Sequence, residues 1–167
     1  LKIDKPSDTV RVSSSPATNI ITNDSLILTS GRLNLNGATL YIPGNRSIHG
    51  LGGNFVPANG IVEFDGIGTV TGTVNFPAVD LYGAVNFGSG STVHGNFTIL
   101  AGGSVTTNPP TYASGSTLYY NRTGYVARGT EWSSTSGAGY PYAVILSGTT
   151  ILDLGANGGA AISREIA

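Results

Sequence analysis

The sequence predicts an all-β chain that folds as a single right-handed parallel β-helix (β-solenoid) with an aromatic-rich insertion. Each coil is predicted to contain about 22–23 residues. The main observation is an apolar side chain that recurs at Leu26, Ile48, Val70 and Val93, with gaps of 22 (48 − 26), 22 (70 − 48) and 23 (93 − 70). A second apolar column keeps nearly the same spacing, at Leu40, Val62 and Val85. Sequence repeats of this length are typical of solenoids, in which each unit packs on its neighbours. A parallel crossover is expected to be right-handed.

Residues 1–24 are expected to form an initial strand and loop, because a Val-Arg-Val alternation at 10–12 is broken by a serine-proline run. Over 25–111, short alternating runs such as residues 73–76 are separated by glycine or Asn-Gly. Alternation turns every second side chain into the core, and glycine permits the positive φ of a tight corner. We therefore predict regular β-helix coils over 25–111, and no segment has the apolar spacing of a helix.

Residues 112–142 interrupt this pattern. They contain six of the eight tyrosines and the only tryptophan, and they are predicted to form an aromatic-rich insertion or hairpin. Alternation returns at 143–146, so residues 143–167 are predicted to resume the coils within the same domain. The last coil looks truncated, because a solenoid that ends without a polar cap exposes an apolar edge.

The composition narrows the range of functions. Hydrophobic residues make up 40% of the chain, charged residues only 10%, and the net charge is −1. A basic surface for nucleic acid is therefore not expected, and neither is insertion into a membrane, since no apolar stretch approaches the ~20 residues of a span. The chain has no cysteine, which excludes disulfides, thiolate metal sites and thiol catalysis.

Two histidines are the first candidates for metal ligands. His49 and His94 occupy equivalent positions in the predicted repeat, with Thr71 in the coil between them. Because coils stack about 4.8 Å apart, the histidines would lie roughly 9.6 Å apart, too far for one zinc ion with ligands at ~2.1 Å. We expect neither a metal nor another cofactor.

Glu63 and Asp65 lie on the same face of one predicted strand, at a separation that suits a glycosidase carboxylate pair. The predicted neighbours of Glu63 in the adjacent coils are Tyr41 and Asn86, neither of which carries a charge. Nothing in this register would raise one carboxyl pKa above the other. The pair is interpreted as part of a solvated outer face, and no catalytic residue is assigned.

The aromatic segment offers the strongest candidates for recognition. Trp132, Tyr119 and Tyr125 have flat faces that suit sugar rings or a protein interface, and Arg128 and Glu131 lie among them to orient a polar ligand. The alternative is structural, with the large aromatics covering a side or end of the solenoid.

The segment from Tyr112 to Asn121, followed by Arg128-Gly129-Thr130-Glu131-Trp132 and Gly139-Tyr140-Pro141, resembles a unit of large secreted adhesin-like proteins of the Bacteroidetes. Many of these proteins are exported by the type IX system, and the unit is flanked by β-helical coils. The clear resemblance covers residues 112–154. It implies a secreted or cell-surface location and a solenoid architecture more than it implies an activity.

Two sites resemble the O-glycosylation sequon of that group, in which Asp is followed by Ser or Thr and then by an aliphatic residue. They are Asp8-Thr9-Val10 and Asp24-Ser25-Leu26. The resemblance implies glycans on Thr9 and Ser25.

These observations favour a non-catalytic structural or adhesive module of a large secreted or cell-surface protein. Its expected partners are a polysaccharide or cell-surface glycan and neighbouring coils of a longer chain. Two alternatives stay open. The first is a carbohydrate-binding or polysaccharide-degrading β-helix protein, and the second is a segment of a phage or viral fibre, which would form an intertwined trimer.

Overall fold

The computed structural model describes residues 1–13, 20–57, 59–132 and 135–154. In these residues the chain forms seventeen strands and one short 3-10 turn, with no α-helix. In chain order the strands are β1 (Lys2–Arg11), β2 (Ile20–Ile21), β3 (Leu26–Asn34), β4 (Thr39–Ile42), β5 (Arg46–Gly50), β6 (Asn54–Phe55), β7 (Ile61–Phe64), β8 (Gly68–Gly72), β9 (Asn75–Phe76), β10 (Val79–Leu81), β11 (Ala84–Asn86), β12 (Thr92–Val93), β13 (Asn96–Ile99), β14 (Ser104–Val105), β15 (Thr111–Tyr112), β16 (Thr117–Ala127) and β17 (Ala143–Asp153). The 3-10 turn spans Thr130–Trp132.

The strands form three parallel sheets around one core, which confirms the predicted parallel β-helix. Sheet A has the order β1-β3-β5-β8-β11-β14, with β6 also paired to β3. Sheet B has the order β2-β4-β7-β10-β13-β16-β17, and sheet C has the order β9-β12-β15. The chain passes from one sheet to the next at short corners, so each coil contributes strands that pair with those of the coils before and after it.

The predicted spacing is confirmed for the first coils. In sheet A, Leu26 pairs with Ile48 and Ile48 pairs with Val70. In sheet B, Leu40 pairs with Val62, again with a gap of 22 (62 − 40). All five side chains are buried in the core.

The spacing then shortens, and the predicted register differs from the observed one. Val62 pairs with Val79, after a gap of only 17 (79 − 62), and not with Val85. Val85 lies in sheet A opposite Gly68. Val93 lies in sheet C opposite Phe76 and does not continue the column of sheet A.

Shorter corners cause this change. The corner between β6 and β7 contains residues 56–60, whereas the corresponding corner between β9 and β10 contains only residues 77–78. The runs at 79–81 and 85–87 both alternate apolar and polar residues. Since side-chain alternation has a period of two in every strand, the pattern alone does not distinguish which run continues sheet B.

One corner shows why glycine is required. Gly72 at the end of β8 has a φ of 74°, and a Cβ there would collide with the carbonyl oxygen of Gly50 in the coil below. Glycine adopts this left-handed conformation without steric cost and lets the two backbones approach closely. The predicted role of glycine in the corners is confirmed at this position.

A ladder of aromatic rings fills the middle of the core. Phe76 is fully buried, and its ring centroid lies 5.6 Å from that of Phe55, 6.4 Å from that of Phe64 and 5.7 Å from that of Phe87. From Phe87 the series continues through Phe97 to Tyr112, with centroid distances of 5.3 Å and 5.7 Å between successive rings. These contacts join successive coils through side chains as well as through the backbone.

Part of the segment 112–142, which the sequence predicts to be an insertion, belongs to the regular strands. Strand β16 remains in sheet B, where it pairs with β13 and then with β17 over eleven residue pairs, from Thr117–Ala143 to Ala127–Asp153. Between β16 and β17, the described residues 128–132 and 135–142 lie outside the parallel ladder of sheet B. The coils predicted for 143–167 are described as far as residue 154, and residues 155–167 lie outside the described part of the chain.

Replacement of Phe76 by alanine tests the aromatic ladder. Because Phe76 is fully buried between three other rings, we expect Phe76→Ala to lower the free energy of unfolding by about 3–5 kcal/mol. Leu51→Ala is the control, since Leu51 is 66% exposed, and a surface substitution should change stability by less than about 0.5 kcal/mol. Urea unfolding followed by circular dichroism measures both. Equal effects of the two substitutions would contradict the central position of Phe76.

Candidate functional site

The outer face of sheet B carries a column of polar and aromatic side chains. Tyr41, Glu63, Asp80, Thr98 and Tyr119 are paired in register from β4 to β16. Their neighbours in each strand are buried, so this column points away from the core. The ladder therefore places one side chain from each of five successive coils side by side, about 4.8 Å apart.

Two further side chains lie beside this column, just past the ends of β7 and β10. Asp65 and Tyr82 are both exposed. The backbone N–H of Asp65 donates to the carbonyl of Ile42 at 3.2 Å, and that of Tyr82 donates to the carbonyl of Phe64 at 2.9 Å. We call Glu63, Asp65 and Asp80 the acidic face.

The environment of Glu63 changes its protonation. Partial burial raises the pKa of Glu63 to about 7, helped by a hydrogen bond with the carboxyl of Asp65 and by the charges of Asp65 and Asp80. At neutral pH the side chain thus holds a proton for much of the time and shares it with Asp65. The pair is able to donate a hydrogen bond as well as accept one, which an ordinary carboxylate cannot do.

The pKa values of two neighbours of Glu63 are also raised. Burial raises the pKa of Asp80, although a hydrogen bond from Thr98 partly offsets the effect. The pKa of the Tyr82 hydroxyl is raised by burial and by the nearby carboxylates. Burial is the main cause of all three pKa shifts, and the nearby carboxylates add to the shifts of Glu63 and Tyr82.

This arrangement corrects the prediction that nothing would separate the carboxyl pKa values. That prediction placed Asn86 beside Glu63, but the shorter coil places Asp80 there and moves Asn86 to sheet A opposite Thr69. The Glu-x-Asp spacing in the sequence identified two of the three carboxylates. The third becomes visible only when the corner length is known.

A groove lies next to the acidic face, where sheet C turns into sheet B. It is open to solvent, has a volume of about 480 Å³ and crosses three successive coils. Three small residues of the lining, Gly60, Ala78 and Gly95, come directly before β7, β10 and β13, where they leave little side-chain volume. The polar side chains of the lining are Asp80, which belongs to the acidic face, Asn96 and Thr98.

The residues predicted for recognition in the aromatic segment occupy different environments. Trp132 is 1% exposed, Glu131 4% and Arg128 5%, so these three side chains are buried at the end of the core. The Glu131 Oε1 atom accepts hydrogen bonds from the Tyr120 hydroxyl and the Gly129 N–H, both at 2.8 Å. This burial favours the structural alternative for Trp132, in which the aromatic segment closes one end of the solenoid.

Tyr119 and Tyr125 lie on the surface. Tyr119 is half-buried and continues the column of the acidic face, two coils beyond Asp80. Tyr125 is 77% exposed near the end of β16, opposite Ile151 of β17. The structure therefore brings Tyr119, but not Tyr125, into line with the acidic face.

The histidines do not form the predicted column. His49 pairs with Thr71, and its Nδ1 lies 2.9 Å from the Thr71 hydroxyl. His94 lies instead next to β12 of sheet C, where its backbone N–H donates a hydrogen bond to the backbone carbonyl of Phe76. Within the described ranges, no group of three or more His, Asp or Glu side chains is arranged to hold a metal ion.

The two predicted glycosylation sites share a local conformation. The N–H of Thr9 donates to the carboxylate of Asp8, and that of Ser25 donates to the carboxylate of Asp24, both at 2.7 Å. Thr9 is exposed and Ser25 is half-buried. Glycosylation at either residue stays a prediction.

A scan of the chain against protein-family models finds no match, and searches of curated proteins and of solved structures find no significant match. Along the described part of the chain there is no helix with the length and apolarity that a membrane crossing requires.

Replacement of Glu63 by glutamine tests the shared proton through the pH dependence of stability. The folded-state pKa is raised from 4.5 to about 7, so the folded chain holds this proton more tightly than the unfolded chain. The resulting stability is fully present below about pH 4.5 and is lost as the pH rises through about 7. We expect Glu63→Gln to remove this loss of stability. Near pH 8 its free energy of unfolding should exceed that of the wild type by about 1 kcal/mol, after allowance for solvent screening.

Urea unfolding at a series of pH values measures this effect. Asp24→Asn, which removes a carboxylate from an exposed loop, is the control and should keep the wild-type pH dependence. A Glu63→Gln curve that falls with pH as steeply as the wild-type curve would contradict the assignment of the shared proton.

Proposed function

We propose that the chain is a non-catalytic structural and adhesive module of a large secreted or cell-surface protein. The observation that carries this proposal is the unbroken parallel ladder of sheet B, which runs from β2 to β17 around a continuous apolar core. Such a stack is stabilised by contacts between neighbouring coils and is easily extended by further coils. It also holds surface side chains at a fixed spacing, which suits repeated contacts with an extended partner.

The outer face of sheet B is the best candidate for the adhesive surface. It combines the acidic face with Tyr82, which is 44% exposed, and it adjoins the groove. Tyrosine rings stack on sugars, and carboxylates accept hydrogen bonds from hydroxyl groups. The proposed partner is accordingly a polysaccharide or a cell-surface glycan.

The resemblance of residues 112–154 to Bacteroidetes adhesin-like proteins is consistent with this proposal. It favours a location at the cell surface or outside the cell, reached by a type IX-type route. In that setting Thr9 would be accessible to glycosylation, since it is exposed at the end of the solenoid occupied by β1.

A second candidate function is hydrolysis of a polysaccharide. It is favoured by one observation, the pKa of Glu63 near 7, because a carboxylic acid that stays protonated at neutral pH is suited to protonate a leaving group. Asp80 would then supply the second carboxylate, because Asp65 is hydrogen-bonded to Glu63 and so lies closer than the separation expected from the sequence and required of a glycosidase pair. An assay of released reducing sugars separates this function from adhesion.

The experiment is a screen of the folded chain for retention on insoluble polysaccharides and on a glycan array. We expect retention of the wild type without release of reducing sugars. Tyr82→Ala should weaken retention by about tenfold, the loss of one stacking contact. Tyr125→Ala is the matched control, because Tyr125 is exposed away from the acidic face and should not contribute.

Two outcomes would contradict the proposal. Failure of the folded wild type to bind any polysaccharide or glycan would remove the adhesive role. Release of reducing sugars that Glu63→Gln abolishes would assign the chain to the polysaccharide-degrading class. Trp132 is unsuitable for this test, since its replacement would disrupt the core.

A further inference from the structure

We propose that the groove beside the acidic face binds a single chain of a neutral polysaccharide, laid across the coils. This inference rests on the proposed adhesive function and specifies its ligand and its position. The groove crosses β7, β10 and β13, so a chain lying in it would meet a new set of side chains at each coil. Successive strands are about 4.8 Å apart, a spacing comparable to the advance of one pyranose unit along a β-linked chain.

The walls of the groove match the chemistry of sugars. Asp80 and Thr98 are hydrogen-bonded to each other and half-buried, which fixes their side chains beside the groove. Asn96, which is exposed, offers both a donor and an acceptor in the lining. Ile61, which is half-buried, adds apolar surface for the ring face of a sugar, whereas Pro77 is buried beneath the lining. Concave sites with apolar walls and a few fixed polar groups are typical of small-ligand binding.

The charge of this surface excludes acidic polysaccharides. Asp80 lines the groove, Glu63 and Asp65 lie beside Asp80, and no lysine or arginine is among the described residues that line the groove. A uronate or sulfated chain would be repelled at this site. A neutral chain supplies hydroxyl donors, which the carboxylates accept through charge-assisted hydrogen bonds.

A peptide is disfavoured for a different reason. Extended peptides bind sheets mainly by adding a strand to an open edge. The groove lies on strands in the interior of sheet B, where the backbone groups of β7, β10 and β13 already pair with strands on both sides. A ligand in the groove must therefore be held by side chains, as sugars are.

Isothermal titration of the full chain with neutral oligosaccharides tests the proposal. Cello-, manno- and malto-oligosaccharides are the neutral probes, oligogalacturonate is the acidic probe, and oligolysine is the peptide probe. We expect at least one neutral probe to bind and oligogalacturonate not to bind. Asp80→Asn and Thr98→Val should each weaken that binding by about tenfold, the loss of one hydrogen bond to a fixed partner.

Thr69→Val is the matched control for Thr98→Val. Both threonines are half-buried on the outer face of a strand, but Thr69 lies on sheet A, so its replacement should leave the affinity unchanged. Circular dichroism establishes that each variant is folded. Because Asp80→Asn and Thr98→Val change few atoms, both should keep the wild-type spectrum.

Several results would overturn the proposal. These are the absence of binding by all three neutral probes, binding of oligogalacturonate or of oligolysine in their place, and neutral binding that Asp80→Asn and Thr98→Val leave intact. The last result, with retention on insoluble polysaccharide preserved, would reject the groove while leaving the adhesive function in place. If the wild-type chain is not retained on any insoluble polysaccharide or glycan, the adhesive function itself is rejected.

Discussion

The parallel hydrogen-bond ladder between successive coils is the constraint on which the rest of the structure depends. Once Leu40 is paired with Val62 and Val62 with Val79, the alternation of side chains fixes which residues enter the core and which reach the surface. The apolar residues then stack in columns, and the phenylalanine rings meet across coils. The acidic face is the outer counterpart of the same register, so core packing and surface chemistry are coupled through one ladder.

The architecture was predictable because it depends on features that a sequence displays directly. The equal spacing of Leu26, Ile48 and Val70 reveals the coil, and alternation within each run reveals the strands. The later register was not predictable, because it depends on corner length. The short corner at 77–78 and the longer one at 56–60 both connect strands with the same alternation. Only the packing of the whole coil decides between them.

The candidate site was likewise predictable only in part. Glu63 and Asp65 were recognisable from their spacing, but their significance depends on Asp80, which the shorter coil brings into line with Glu63. Trp132 illustrates the opposite case. A lone tryptophan among tyrosines suggests a binding surface, yet residues 128–132 fold onto the end of the core and bury it. Composition does not distinguish an aromatic platform from an aromatic cap, since both need large flat side chains.

The most direct test of this register is disulfide formation on the outer face, in a chain that has no cysteine of its own. Residues paired on neighbouring parallel strands have Cα atoms about 4.8 Å apart, within the range of about 4.4–6.8 Å that a disulfide bridges. Under mild oxidation, we expect the double variant Glu63→Cys/Asp80→Cys to form an intramolecular disulfide and Glu63→Cys/Asn86→Cys to stay reduced. Mass spectrometry of the monomer distinguishes the two. A disulfide only in the second variant would contradict the register, and with it the acidic face.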